Sequence, residues 1–240
     1  MTIFSVRTLP AALAMMAAGL CCAASALADD ASGNDVYSNS ARIGLYSVFF
    51  HASTDGITGP YVPPGASLTA KDVWTAYLAY VRRLSEHFDL ELAGGYPPLQ
   101  KTVGRGPATL GSVPYNGQIL GTARWIAPTT LLEYKFLSDS SAWRPYIGVG
   151  VNYTDFYDRN STAQGNAAQG GPTKLSLTSS VGAAGVVGLG YHIAGHLNAY
   201  ASYAWSQVNT RLNADTAGVI RTTRIDFGPQ ALILAVGYSF

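Results

Sequence analysis

The chain has 240 residues with 15 Lys and Arg against 14 Asp and Glu, and charged residues make up 12% of it, half the ~25% typical of soluble domains. Abundant apolar material, 48% of the chain, argues against disorder. A net charge of +1 leaves no basic excess to neutralise phosphates, which argues against nucleic acid as a main partner. Little charge with 26 Gly and 15 Tyr suits a chain whose outer surface is not wholly in water.

Residues 1–28 read as a secretory signal peptide. Arg7 supplies the positive start, an uncharged Ala-rich stretch follows, and Ala26-Leu27-Ala28 fits the small-x-small cleavage pattern. Cleavage there removes Cys21 and Cys22, both cysteines of the chain. The expected mature protein then has no disulfide, no thiolate metal site and no cysteine nucleophile. Residues 29–40 are expected as a short periplasmic segment, and 41–240 as a single domain.

No later window holds 18 apolar residues in a row, so no membrane-spanning helix is expected. The periodicity is two instead. Weakly alternating segments lie at 41–51 and 71–83. Phe88, Leu90 and Leu92 alternate with Asp89 and Glu91, and Leu132, Tyr134 and Phe136 with Leu131, Glu133 and Lys135. Ile147 to Thr154, Val181 to Tyr191 and Leu197 to Ser206 alternate large apolar residues with Gly, Ala, Asn and Ser. From Leu232 to Phe240 every even position is large and apolar, and three of the odd ones are small. These segments predict eight strands. Their connections run long, short, long, short, long, short, long, with the long ones at 52–70, 98–121, 158–173 and 212–222. That is the pattern of an eight-stranded antiparallel transmembrane β-barrel with short periplasmic turns and long outer loops. A soluble sandwich would carry Lys, Glu and Thr on its wet face, and here the second face is mostly Gly, Ala, Ser and Asn.

A Lys facing lipid at mid-membrane costs ~2–4 kcal/mol, so Glu91, Glu133 and Lys135 are expected inside, as a selectivity feature or an ion-pair plug. Leu131, Tyr200 and Ile233 share that interior and would line an apolar path or pack it. Pro128 sits in a strand pattern without an amide to donate. It is read either as a weak point in the wall, where a ligand could leave sideways, or as a strand end. His192 and His196 have helical metal spacing, but on a strand they stand ~13 Å apart, and no metal is expected. His51-Ala52-Ser53 has the look of a His-x-Ser hydrolase pair but lacks an assignable acid.

Pro128-Thr129, Tyr134-Lys135-Phe136 and above all the run Trp143-Arg144-Pro145-Tyr146-Ile147-Gly148-Val149-Gly150-Val151-Asn152-Tyr153-Thr154 closely resemble the OmpW family of bacterial outer-membrane proteins. Gly182-Ala183-Ala184-Gly185 and the ending Gly237-Tyr238-Ser239-Phe240 are similar to it as well. The resemblance covers about 41–240 and implies a barrel with a narrow, largely apolar lumen. It implies passive uptake of small hydrophobic molecules from outside, with sideways exit into outer-membrane lipid. The Gly- and Pro-rich stretch 98–121 departs from the family pattern, so no substrate is carried over. The terminal Phe240 resembles the signal read by the outer-membrane assembly machinery. On this reading there is no cofactor and no chemical step. The rivals are a structural, adhesive or receptor barrel with a plugged lumen, and a lipid-modifying enzyme built on His51 and Ser53.

Overall fold

A computed structural model describes residues 37–110 and 113–240. The expected signal peptide and the first part of the 29–40 segment lie outside the described residues. Eight strands form the lower tier: β1 (Asn39–Phe50), β2 (Val73–Arg83), β3 (Phe88–Gly95), β4 (Thr129–Lys135), β5 (Trp143–Ser161), β6 (Ser180–Ala194), β7 (Leu197–Ser206) and β8 (Pro229–Ser239). Each pairs antiparallel with the next. The ring closes where β1 meets β8, from Ser40 opposite Ser239 to Phe50 opposite Pro229. Closure leaves no free edge in this tier, which is what lets strands cross a bilayer.

Alternation decides which side chains face out. On β8, Leu232, Leu234 and Val236 are exposed while Ile233 and Ala235 are buried; on β5, Ile147, Val149 and Val151 are exposed while Tyr146 and Asn152 are buried. The exposed set is apolar, the reverse of a soluble sheet. The small residues between them face a crowded interior. A Cβ added at Gly150 would stand 1.8 Å from the Thr130 carbonyl oxygen, so the β4–β5 seam closes only over glycine. Aromatic residues mark the rims: Tyr238 stacks on His196 at the short-turn end, and the exposed Trp205 lies near the other end of β7.

The three short connections fall at 84–87, 136–142 and 195–196, in the alternating order expected. The four long ones depart from the expectation of loops. The chain there continues as a second tier of strands: Ser53–Thr54, Ser67–Ala70, Leu99–Arg105, Ile119–Ile126, Lys174–Leu177, Asn209–Thr216 and Val219–Asp226, with a minor hairpin of Thr109–Leu110 and Val113–Pro114. The stretch 212–222 is the tip of a tight hairpin. It turns at Ala217 and Gly218, both at positive φ, the geometry that matches strand twist in two-residue turns. The one helix among the described residues, α1 (Ala163–Gln169), is capped by Thr162, whose hydroxyl accepts from the Gly165 amide, and ends at the left-handed Gly170.

The second tier is not a closed ring. Ser67–Ala70, Leu99–Arg105, Ile119–Ile126 and the outer part of β5 form one half-wall. Lys174–Leu177, Asn209–Thr216, Val219–Asp226 and Ser53–Thr54 form the other. Between the tiers most strands break for two or three residues, at 51–52, 71–72, 96–98, 127–128, 178–179, 207–208 and 227–228.

Candidate functional site

The floor of the lumen is ionic. Arg42 points inward from β1, because Ile43 and Leu45 take the outer face. Its guanidinium meets Glu133 of β4, with Nη2 donating to Oε2 at 3.0 Å and Nη1 to Oε1 at 3.3 Å, and it also pairs with Glu91 of β3. Tyr77 Oη donates to the other Glu91 oxygen at 2.8 Å. The guanidinium carbon lies 4.1 Å from the centroid of the Tyr200 ring and 5.5 Å from that of Tyr146. Arg42 and Glu91 are 3% exposed and Glu133 is fully buried. The sequence reading put Lys135 in this group, but its ammonium pairs with Asp89, nearer the short turns. Arg42, the cation that Glu91 and Glu133 share, was missed. The signal was present in the alternation of 41–51, which sends Arg42, Gly44 and Tyr46 inward.

Above the floor lies a cavity of about 120 Å3, with Leu131, Ile233, Tyr46, Val186 and Ala204 among its walls. Leu131 and Ile233 thus line open space, whereas Tyr200 packs beneath it against Arg42. At the junction of the tiers the bore is crossed by a collar of aromatic side chains from four distant segments. Phe50 meets Trp125 at 6.5 Å and Phe227 at 5.8 Å between ring centroids, and Phe227 meets Phe156 at 5.6 Å. A second cavity, of about 60 Å3, lies in the outer tier and shares Gln100, Phe156 and Phe227 with the first.

The wall parts between β3 and β4. Their pairing stops at Ala93 opposite Thr129 and resumes one residue out of register at Leu99 opposite Arg124. In between, β3 follows β2, since the Tyr96 amide donates to the Ala76 carbonyl, while β4 follows β5, since the Pro128 carbonyl accepts from the Tyr153 amide at 3.0 Å. Pro97, Pro98 and Pro128 bring no amide to this stretch. Gly94, Gln100 and Ala127, which flank the parting, also line the lower cavity. The geometry corrects one detail of the Pro128 reading. In an antiparallel pair both groups of a residue face the same neighbour, so the amide Pro128 lacks would have faced β5, not the parting. On the β3 side the Ala127 carbonyl is occupied instead, accepting from Thr129 Oγ1 at 3.2 Å and Asn152 Nδ2 at 3.4 Å. Asn152 also donates to Thr129 Oγ1 at 2.8 Å and accepts from Thr154 Oγ1 at 2.7 Å. Asn152 and Thr154 are not among the candidate residues that the sequence alone points to.

The histidines do not converge. His192 Nδ1 lies 3.2 Å from Asn198 Oδ1, and His196 Nδ1 lies 2.7 Å from the Ser239 carbonyl oxygen. His51 is exposed at the junction of the tiers.

The family model described as the OmpW family matches residues 41–240. Outer membrane protein W of Salmonella typhimurium is 35% identical over 121 residues, which are 50% of this chain and 56% of that protein. The chain thus spans about half the length of the curated relatives it matches. Dibenzothiophene metabolism operon protein PahQ of Pseudomonas aeruginosa is 29% identical over 120 residues, 49% of this chain and 52% of that protein. The crystal structure of the outer membrane protein OprG from Pseudomonas aeruginosa has the same fold, with a TM-score of 0.76 at 22% identity over 88% of this chain and 99% of that one.

Proposed function

The chain belongs to the OmpW family, and we propose on that premise that this outer-membrane barrel takes up small hydrophobic molecules passively and releases them sideways into the membrane. The observation that carries the reading is the pairing of a sealed ionic floor with a parted wall above it. A hydrophobic solute in the lower cavity gains nothing by crossing Arg42, Glu91 and Glu133, since burying ions without water or partners is costly. The parting between β3 and β4 instead offers a sideways path past Gly94 and Ala127, below the hydrogen bond from Arg124 to the Pro97 carbonyl at its outer edge. A relative named for a dibenzothiophene metabolism operon agrees with a flat, apolar cargo. On this reading no chemical step occurs and no cofactor is called for. The outward apolar stripe of β8, ending at Phe240, is then the segment that the assembly machinery reads.

The test is accumulation of a panel of hydrophobic compounds in cells with and without the gene. Faster accumulation with the gene supports uptake. Equal accumulation across the panel sinks it and favours a structural or receptor barrel, a reading to which the buried floor alone lends itself.

A further inference from the structure

We propose that the collar between the two cavities selects hydrophobic solutes that carry one uncharged oxygen function, an alcohol above all, over plain hydrocarbons. This deepens the uptake reading and rests on it.

Two polar atoms in the collar are buried and unpaired among the described residues: Trp125 Nε1 and Gln100 Oε1. Trp125 is 8% exposed and Gln100 4%. The assignment of the Gln100 amide is fixed by its surroundings. Its nitrogen donates to two carbonyl oxygens, of Lys71 at 2.6 Å and of Lys101 at 3.3 Å, so the remaining atom is the acceptor. Gln100 stands opposite Ala123 across the ladder, and Trp125 lies two residues further along the same face. The two side chains are therefore diagonal neighbours, ~7–8 Å apart at their bases. Both line the lower cavity, and Gln100 lines the upper one too.

The collar thus holds one donor and one acceptor with no partner, in otherwise aromatic surroundings. A buried donor left unpaired is costly, and the closed collar bears that cost twice. A hydrocarbon passing through leaves both atoms as they are. A carbonyl, ester or ether oxygen accepts from Trp125 Nε1. A hydroxyl does both, since it donates to Gln100 Oε1 and accepts from Trp125. A carboxylate gains one hydrogen bond but loses its hydration beside no cation. The order of preference is alcohol, then ketone, then hydrocarbon.

The experiment compares radiolabelled dodecane, 2-dodecanone and 1-dodecanol, matched in chain length, in cells with wild-type protein, Trp125→Phe, Gln100→Leu or no protein. Folding of each variant is read from its heat-dependent gel shift. Protein-dependent uptake of 2-dodecanone should exceed that of dodecane by about fivefold, the worth of one net hydrogen bond, and that of 1-dodecanol should exceed 2-dodecanone by about as much again. Trp125→Phe keeps the ring and removes the donor, and should bring both oxygenated solutes down toward dodecane without slowing dodecane. Gln100→Leu should cost 1-dodecanol its lead over 2-dodecanone only. Equal wild-type uptake of the three solutes overturns the collar proposal and leaves uptake standing, as does a Trp125→Phe protein that slows all three alike or none. If no solute enters faster with the protein than without it, the uptake reading falls and this proposal with it. Should Trp125→Phe fail to fold, the wild-type order and Gln100→Leu decide alone.

Discussion

Replacing Arg42 by methionine keeps a long flexible side chain and removes the charge that two carboxylates share. At 3.0 Å and an effective dielectric of ~20, each attraction is worth roughly 5–6 kcal/mol before desolvation. Burying three ions takes back most of that, so the net worth of the intact network is small. The cost of breaking it is not, because Glu91 and Glu133 stay buried with Tyr77 Oη as the remaining donor to Glu91. Removing one partner of a buried pair costs ~3–5 kcal/mol, a large share of the ~5–15 kcal/mol that holds an ordinary domain. Urea unfolding in detergent micelles, followed by tryptophan fluorescence and by the heat-dependent gel shift, should show the Arg42→Met midpoint falling sharply. A triple variant that adds Glu91→Gln and Glu133→Gln should recover most of the loss, since no buried charge is left over. If Arg42→Met unfolds within about 1 kcal/mol of the wild type, or if the triple variant is no better than the single, the floor is not a charge-balanced plug.

Pro128→Val adds an amide facing β5, so it should raise stability by about 1 kcal/mol and leave hydrophobic uptake nearly unchanged. The double variant Thr129→Val/Asn152→Ala frees the Ala127 carbonyl of both its side-chain donors to pair with β3 and should slow uptake; cell accumulation assays read both, and the reverse pattern would move the exit to Pro128 itself. Asp139, in the turn after β4, would be raised by burial, but the hydrogen bond from Arg83 and the charges of Arg144 and Arg83 hold it below the ordinary 3.8. The stability it lends is full above about pH 4 and is lost as pH falls through its depressed folded value. Asp139→Asn should therefore flatten the acid limb of the stability curve, by under ~1 kcal/mol because the group is partly exposed. Gly150→Val should block the β4–β5 seam and leave protein that lacks the folded gel form after refolding.

The lower tier was legible because lipid imposes a strict rule: Leu232, Leu234, Val236 and Tyr238 must all face out, and the period shows. The upper tier was not, because the same strands there meet water. Thr210, Arg211, Leu212 and Asn213 carry no apolar stripe, and a stretch without one reads as loop. Glu91, Glu133, Leu131 and Ile233 were placed inward by charge and period alone. Arg42 escaped notice as a lone charge in a weak segment. The collar is beyond local reading altogether, since Phe50, Trp125, Phe156 and Phe227 meet only after the barrel closes. The role of Asn152 needed the register of β4 against β5, which puts its side chain beside the Ala127 carbonyl.

The two half-walls of the outer tier touch along two seams, and neither seam is a strand ladder. One is held where the Leu68 amide donates to Thr54 Oγ1 at 3.3 Å and the Ile57 amide to the Ala66 carbonyl at 3.3 Å. Across the other, Arg159 donates to the Leu177 carbonyl at 3.2 Å. A closed ring has a fixed circumference, set by its strand number and stagger. A mouth made of two jaws does not. Parting such jaws would break a few hydrogen bonds and the packing of Leu212 in one wall against Leu68 and Leu120 in the other, while the embedded ring would keep every bond it has. The outer mouth and the anchorage in the membrane are then separate parts of one chain, and substitutions at the seams of the mouth need not loosen the barrel below.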